Sequence, residues 1–227
     1  MIGLTRELRK RHQGYSGARP DVVSLVDSAP ARVLDVGCGA GITAELLKTK
    51  YPGAKVVGLE MDPVLASLAR DRLDTLVEGN AEAADVIARL AELGPYDLII
   101  CADVLEHFQN PWEVLGALTQ LLAPHGRIVT SIPNVRHVST FIALGMLGRW
   151  PRRERGIHDK THLRFFARRD VLDMGALAGL VVLRERRNLR LVESMAWTAI
   201  PAKLLDFWPL RPFLTFQYLH LWHLGPA

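Results

Sequence analysis

One run of the chain, ARVLDVGCGAG at residues 31–41, passes from a β-rich apolar segment into closely spaced glycines and then into the helical stretch ITAELLKTK. A strand that feeds a glycine turn and then a helix opens a βαβ unit, which commits the chain to a parallel sheet with helices on its faces. Glycines at that turn take backbone angles closed to other residues and let a ligand approach with no Cβ in the way. Their spacing, G-x-G-x-G, is one residue short of the dinucleotide fingerprint, which disfavours a nicotinamide dehydrogenase. Asp35, just before the glycines, is a carboxylate placed to suit a cationic ligand.

The same rhythm continues downstream and predicts strands over 32–36, 55–59, 97–101, 127–132, 181–188 and 213–222, with helices over 41–50, 63–73 and 111–122. Asn110 reads as the N-cap of the last helix, Pro111 as its first residue and Glu113 as the partner in a capping box. The final two strands lack a crossover of the earlier type, so the last one is expected as an antiparallel insertion at the sheet edge. The rhythm breaks at 134–166 and 193–212. Both inserts follow strand ends, where open α/β sheets bind ligands, and they are expected to cover a substrate within a single domain over 1–227.

Composition narrows the class. With 49% hydrophobic and 23% charged residues in 227, disorder is excluded. The two cysteines sit in apolar runs, away from disulfide or zinc spacings. A net charge of +4, from 28 basic and 24 acidic residues interleaved, calls for no nucleic-acid partner. The N-terminal MIGLTRELRKRHQ has no apolar run behind its charges and does not read as a secretory signal, so a cytoplasmic location is expected. The apolar stretch 204–224 is interrupted by Asp206, Pro209, Arg211, Pro212, Gln217 and two histidines, which argues against a membrane span and leaves a peripheral membrane contact open.

Glu60 ends the second strand 19 residues after Gly41, where it would accept from the hydroxyls of an adenosine ribose. Alone it reads as an exposed strand-end acid; in frame with the glycine loop it favours a nucleoside. With VLDVGCGAG, GLEMDP, EGNAE at 78–82 and YDLIICADVLEHFQNPWEVL at 96–115, the chain resembles the class I S-adenosylmethionine-dependent methyltransferases. The resemblance implies a Rossmann-like α/β fold: a mixed seven-stranded sheet, helices on both faces and an antiparallel last strand. It implies that Gly37, Cys38, Gly39 and Gly41 hold the methionyl part of S-adenosylmethionine and that Glu60 and Met61 lie at the ribose. Asn80 and Ala81 would line the adenine, with Asn where the family usually has Asp. Cys101, Ala102 and Asp103 would lie beside the cofactor, with Tyr15 and Arg19 folding over it. Cys101 on its own reads as a small buried hydrophobe.

A hydroxyl acceptor benefits from a general base, whereas a deprotonated amine needs little beyond alignment. The fourth strand is followed by none of the Asn-Pro-Pro-Tyr type sequence of adenine- and glutamine-directed members. IPNVRH at 132–137 and HDKTHLRFF at 158–166 resemble a bacterial subgroup associated with surface glycans and natural products. His162 or His137 is therefore the expected base, oriented by Asp159, with His107 as rival. The plainer readings are a helical His158/His162 pair on a polar face, a turn residue at His137 and a helix cap at His107. No third ligand accompanies the pair, and these motifs assemble no clustered set of Asp and Asn ligands for an octahedral ion, so independence from metal is expected. Arg152, Arg153 and Arg155 are either a solvated loop or a recognition site for phosphate or carboxylate on a small-molecule, glycan or lipid-linked acceptor. Phe207, Trp208, Phe213, Phe216, Tyr218 and Trp222 read as core by default, with any excess forming a lid, a dimer contact or a membrane-surface patch. O-methylation of a small-molecule or glycan-type acceptor, by a monomer or homodimer, is the reading these residues favour. A non-catalytic cofactor-binding subunit and an RNA methyltransferase are its rivals.

Overall fold

The computed structural model describes residues 17–193 and 195–226; Tyr15 lies outside them. Seven strands, β1 (Arg32–Val36), β2 (Lys55–Glu60), β3 (Thr75–Glu78), β4 (Tyr96–Ala102), β5 (Leu122–Pro133), β6 (Leu180–Leu189) and β7 (Thr215–Leu224), form one sheet in the order β3-β2-β1-β4-β5-β7-β6. β1 to β5 run parallel, and β7 is antiparallel to both β5 and β6. The last strand is antiparallel as expected, but it lies one place in from the edge, which β6 occupies. Its side chains are buried along most of its length, and an edge place would have left one side of that apolar run unpaired.

Alternation along the strands builds a core on each face. Leu34, Val36, Ile99 and Cys101 point to one side, against helices Ala84–Leu93, Pro111–Thr119 and Arg168–Leu177. Val33, Leu98 and Ile100 point to the other, against Pro20–Val23, Ile42–Lys50 and Pro63–Ala69. Helix Arg168–Leu177 comes so close that a Cβ on Gly175 would lie 2.6 Å from the Trp222 ring. That ring is itself fixed by a 2.9 Å bond from Nε1 to Thr130 Oγ1.

Several elements differ from the sequence reading for local reasons. β3 was not predicted: only one of its four residues is fully buried, too little for a period-two signal. The helix expected over 63–73 ends at Ala69. The stretch expected to begin as strand at 213 instead opens with a helical turn, Arg211–Leu214. Asn110 does cap its helix, accepting from Glu113 N at 3.4 Å, yet its own N–H goes to Glu82 Oε1 at 2.9 Å and not to Glu113. The cap thus ties the helix to the loop after β3.

The two inserts hold short helical turns, Val138–Phe141 with Ile142–Met146 in the first and Ala199–Leu204 with Arg211–Leu214 in the second. Bridges Asn134↔Phe166 and Arg153↔Asp159 fasten the first insert at its base and at its tip. Phe216, Tyr218 and Trp222 are core residues of β7, whereas Phe207 and Trp208 are exposed at 51% and 78%. Among the described residues no helix is long and apolar enough to cross a membrane.

Candidate functional site

A cavity of about 1080 Å³ opens at the carboxyl ends of β1, β2 and β4, where the strand order reverses, and the first insert forms its far wall. That is the crevice at which open α/β sheets bind ligands, and its volume suits a nucleoside together with a second molecule.

On the β1–β2 side the backbone donors of the loop are engaged at Gly37, Cys38 and Gly39. Gly37 and Cys38 donate to Leu59 O at 2.8 and 3.1 Å, and Gly39 donates to Glu60 Oε2 at 2.8 Å. Glu60 Oε1 accepts from Met61 N and Asp62 N, both at 2.9 Å, so its carboxylate clamps two loops and keeps one lone pair for a ligand. Gly37, Gly39 and Gly41 have φ of 69°, 56° and 75°. A Cβ on Gly37 would sit 2.8 Å from Val104 Cγ2. Gly41 does not line the cavity; its missing Cβ lets the following helix pass Ala69 and Arg72, so its role is packing.

Asp35 lies beneath the loop, 3% exposed, and its Oδ2 has no hydrogen-bond partner among the described residues. Burial, reinforced by nearby Glu60, pushes its carboxyl up to about 7. A buried acid with an orphan oxygen on a cavity wall is built to meet a cation. Cys38 lines the cavity, but burial and the charges of Asp35 and Glu60 push its thiol well up, so it stays a thiol. Met61, Asn80, Ala81, Ala102 and Asp103 also line the cavity. The Asn80 side-chain oxygen is already used by Glu82 N at 3.0 Å. Cys101, expected beside the cofactor, instead points into the core: it follows the β4 alternation that turns Ile100 and Ala102 to the other face.

Arg19 closes the cavity from the N-terminal side. Its guanidinium binds Asp21 at 2.9 Å, Ser131 at 2.8 Å, Gln217 at 3.2 Å and the Asp103 carboxylate. Asp103 itself stands at φ 56° and accepts from the Ser131 hydroxyl and the Gln217 amide. The ends of β4, β5 and β7 are thereby joined to the entering chain.

The opposite wall is of another kind. Glu106 follows β4 in a short turn, Leu105–His107, and is 1% exposed; among the described residues neither carboxylate oxygen has a hydrogen-bond partner. Burial, with Asp103 nearby, holds its carboxyl well above the usual range. His162, from the first insert, faces it with Nε2 3.8 Å from Oε1, and its Nδ1 donates to Ile157 O at 3.1 Å. His107 meets His162 edge to face at 4.7 Å between ring centres. Burial and neighbouring His107 push His162 down to about 4. Glu106, His107 and His162 each place one ligand atom within 4.8 Å of the others.

Asp159 does not orient His162. Its Oδ1 accepts from Thr161 N at 2.9 Å and Thr161 Oγ1 at 2.6 Å, and that hydroxyl meets His107 Nδ1 at 3.1 Å. The relay therefore runs Asp159–Thr161–His107, with the Thr161 carbonyl also 3.3 Å from His107 Nδ1. His137 is set aside as a base: it is fully buried, does not line the cavity, and caps helix Val138–Phe141 while Nε2 meets Arg190 O at 2.8 Å. The turn reading holds there. His158 is no helical partner of His162 either. It is fully buried between Thr140 Oγ1 at 3.1 Å and Glu193 Oε2 at 3.0 Å, and braces the insert. Arg153 and Arg155 line the cavity, and Arg152 does not. Arg153 pairs with Glu193 at 2.8 Å, and Arg190, also on the wall, lies 4.1 Å over the Phe216 ring.

Sequence reasoning passed over Glu106, Thr161 and Arg190. A signal for Glu106 was present: a lone acid between Leu105 and Phe108, both core residues, has no reason to be buried unless it meets a ligand.

A family model described as a methyltransferase domain matches residues 8–185. A ubiquinone biosynthesis O-methyltransferase of Xanthomonas oryzae pv. oryzae is 36% identical over 119 residues, 51% of this chain and 49% of that protein. A trans-aconitate 2-methyltransferase of Methylobacterium nodulans is 38% identical over 107 residues, 47% of this chain and 40% of that protein. The matched part is about half the length of these curated relatives. Among solved structures, magnesium protoporphyrin IX methyltransferase from Synechocystis, with SAH bound, superposes at a TM-score of 0.60 and 17% identity over 99% of this chain and 90% of that one. A plantazolicin methyltransferase gives 0.63 and 15% over 96% and 90%. At these identities the likeness to the solved structures concerns the fold.

Proposed function

The chain belongs to the class I S-adenosylmethionine-dependent methyltransferases, and we propose that it methylates an oxygen of a small acceptor that carries an anionic group. The β1–β2 wall fits the family's cofactor on three counts: an orphan buried carboxylate for a cationic group at Asp35, a loop that a Cβ at Gly37 would block, and a remaining Glu60 lone pair for a ribose hydroxyl. S-adenosylmethionine supplies an electrophilic methyl group on cationic sulfur. The chain's own part is to align the acceptor in line with that group and to keep water out, which the Arg19 clasp and the first insert do from two sides.

The observation that carries oxygen as the target is Glu106, a buried and unpartnered carboxylate beside two imidazoles on the acceptor wall. An amine needs no such cluster; a hydroxyl needs help to lose its proton. His162, at about 4, is too weak a base to do this alone, so the task passes from a single histidine to the Glu106–His107–His162 group. Arg155, with Arg153 and Arg190 beside it, supports an acceptor with a carboxylate or phosphate, a phosphorylated or lipid-linked glycan among them.

The test is turnover with hydroxylated acceptors offered in pairs, with and without a carboxylate or phosphate, followed by mass spectrometry of the methylated product. Methyl ethers or esters formed faster on the anionic member are expected. Methylation of nitrogen or carbon, or indifference to the anionic group, overturns the reading.

A further inference from the structure

We propose that Glu106, His107 and His162 form a site for a divalent cation of the zinc, iron and cobalt class, at the acceptor wall of the cavity. The inference deepens the O-methylation reading, but cation binding can be measured without it.

Three features of the cluster converge. The first is the donor set: two imidazoles and one carboxylate, with ligand atoms within 4.8 Å of one another, which small side-chain rotations close onto bonds of about 2.1 Å. Two histidines and a carboxylate on one side of an ion leave its remaining positions open, and this set favours borderline transition cations over magnesium, whose shell is all oxygen. The second is Glu106. Its carboxylate is 1% exposed with both oxygens unpartnered, on a wall where Arg19, the nearby cation, is committed to Asp21, Asp103 and Ser131. Burial without a partner disfavours the ionised carboxylate, and a cation held by it and the imidazoles would offset that cost.

The third feature is the outer layer. Metal-bound imidazoles usually give their second nitrogen to a carbonyl or a carboxylate, which sets the ring orientation. Here His162 Nδ1 meets Ile157 O at 3.1 Å, which leaves Nε2 toward Glu106, and His107 Nδ1 meets Thr161, itself held by Asp159. This is the place of Asp159 in the site: it positions a ligand and is not one itself. The open positions of the ion face the cavity, where water or an acceptor oxygen completes the shell. A hydroxyl oxygen bound there would become more acidic and lose its proton more readily.

The sequence motifs assemble no clustered Asp and Asn set for an octahedral ion, and they give the His158/His162 pair no third ligand. His158 is in fact spent on Thr140 and Glu193, while the fold brings in two ligands from 55 or more residues away, and no sequence spacing announces such a set.

The full chain, stripped with a chelator, is titrated with Co(II), read by its visible absorption, and with Zn(II) and Mg(II) by calorimetry. One Co(II) or Zn(II) per chain is expected, bound at least 100-fold more tightly than Mg(II). Glu106→Gln and His162→Asn are expected to weaken it at least tenfold, and His125→Asn, exposed near the start of β5, to leave it unchanged. S-adenosylmethionine binding followed by thermal shift shows that each variant is folded. No cation bound by the stripped chain, or binding that survives both cluster substitutions in folded protein, overturns the site. Binding that behaves as expected in a protein that methylates no hydroxyl would preserve the site and remove the O-methylation reading.

Discussion

The two walls of the cavity solve opposite problems. On the cofactor wall, a short span of chain satisfies itself: Glu60 accepts three backbone N–H groups, and the glycine loop leans on β2 through Leu59 O. On the acceptor wall, groups from β4, the first insert and β6 are brought together from far apart, and the most buried of them, Glu106, is left unsatisfied. The first wall is rigid before any ligand arrives; the second is complete only with one. A wall that satisfies its own backbone suits a donor common to a whole family, and a wall with open valences suits a particular acceptor. Asp35 is the exception that joins the two, an orphan group on the satisfied side.

Asp35 gives the largest effect and the sharpest challenge to that contrast. Its carboxyl stands at about 7 in the fold, above the ordinary 3.8, so the native state holds a proton that the unfolded chain has lost between those values. The contribution of this group to the stability of the cofactor-free protein should therefore be fullest below about pH 4 and fall as pH rises to about 7, by up to roughly 4 kcal/mol. In Asp35→Asn the loss should vanish, read as the difference between the two proteins in denaturant melts across pH. A cationic cofactor favours the ionised form, so its affinity should rise through the same window and level off above it. If wild type and variant keep parallel stability profiles, Asp35 is partnered and the cofactor wall has no open valence.

Glu60→Ala comes next. It removes the acceptor of three backbone donors along with the ribose contact, and cofactor affinity should drop about 100-fold, equivalent to about 2.7 kcal/mol. Calorimetry with S-adenosylmethionine checks this, and a loss under threefold would mean that the loop keeps its shape without the clamp.

The same contrast explains what was readable from sequence. The cofactor wall is local: Asp35 to Gly41 and Glu60 lie at the ends of adjacent strands, and motif spacing alone nearly fixes their geometry. Even there, strand alternation decided matters that spacing left open, turning Cys101 into the core and giving Gly41 a packing task. β3 was too short and too thinly buried to register, although the EGNAE motif after it did. On the acceptor wall the residue types were legible and their pairings were not. Asp159 and His162 look like partners because they are close in sequence, yet the turn at 159–161 directs the carboxylate through Thr161 to His107, whose own place is set by β4. The position of β7 inside the edge likewise depends on pairing with both β5 and β6, a long-range matter.

His137 separates scaffold from site. Its ring caps helix Val138–Phe141 and holds the Arg190 carbonyl, so His137→Ala should cost about 2 kcal/mol of stability by loss of a cap and a buried hydrogen bond. Turnover per folded molecule should be retained, measured below the lowered melting temperature. A variant as stable as wild type but inactive would return His137 to the reaction.

The smallest effect tests the finest feature of the acceptor wall, the hydroxyl that links Asp159 to His107. Thr161→Val keeps the shape and removes the hydroxyl, which leaves His107 Nδ1 with the Thr161 carbonyl alone, at 3.3 Å, and cuts its link to Asp159. Turnover should fall about tenfold, or about 1.4 kcal/mol, while S-adenosylmethionine affinity, which belongs to the other wall, stays as it was. Thr161→Ser should restore most of the loss, because the lost element is a hydroxyl and not a methyl group. Equal damage by Val and Ser would show that Thr161 serves only to pack the turn. A fall in cofactor affinity matching the fall in turnover would show that the two walls are coupled, and that the division between a self-satisfied donor side and an open acceptor side describes where groups lie without describing how they work.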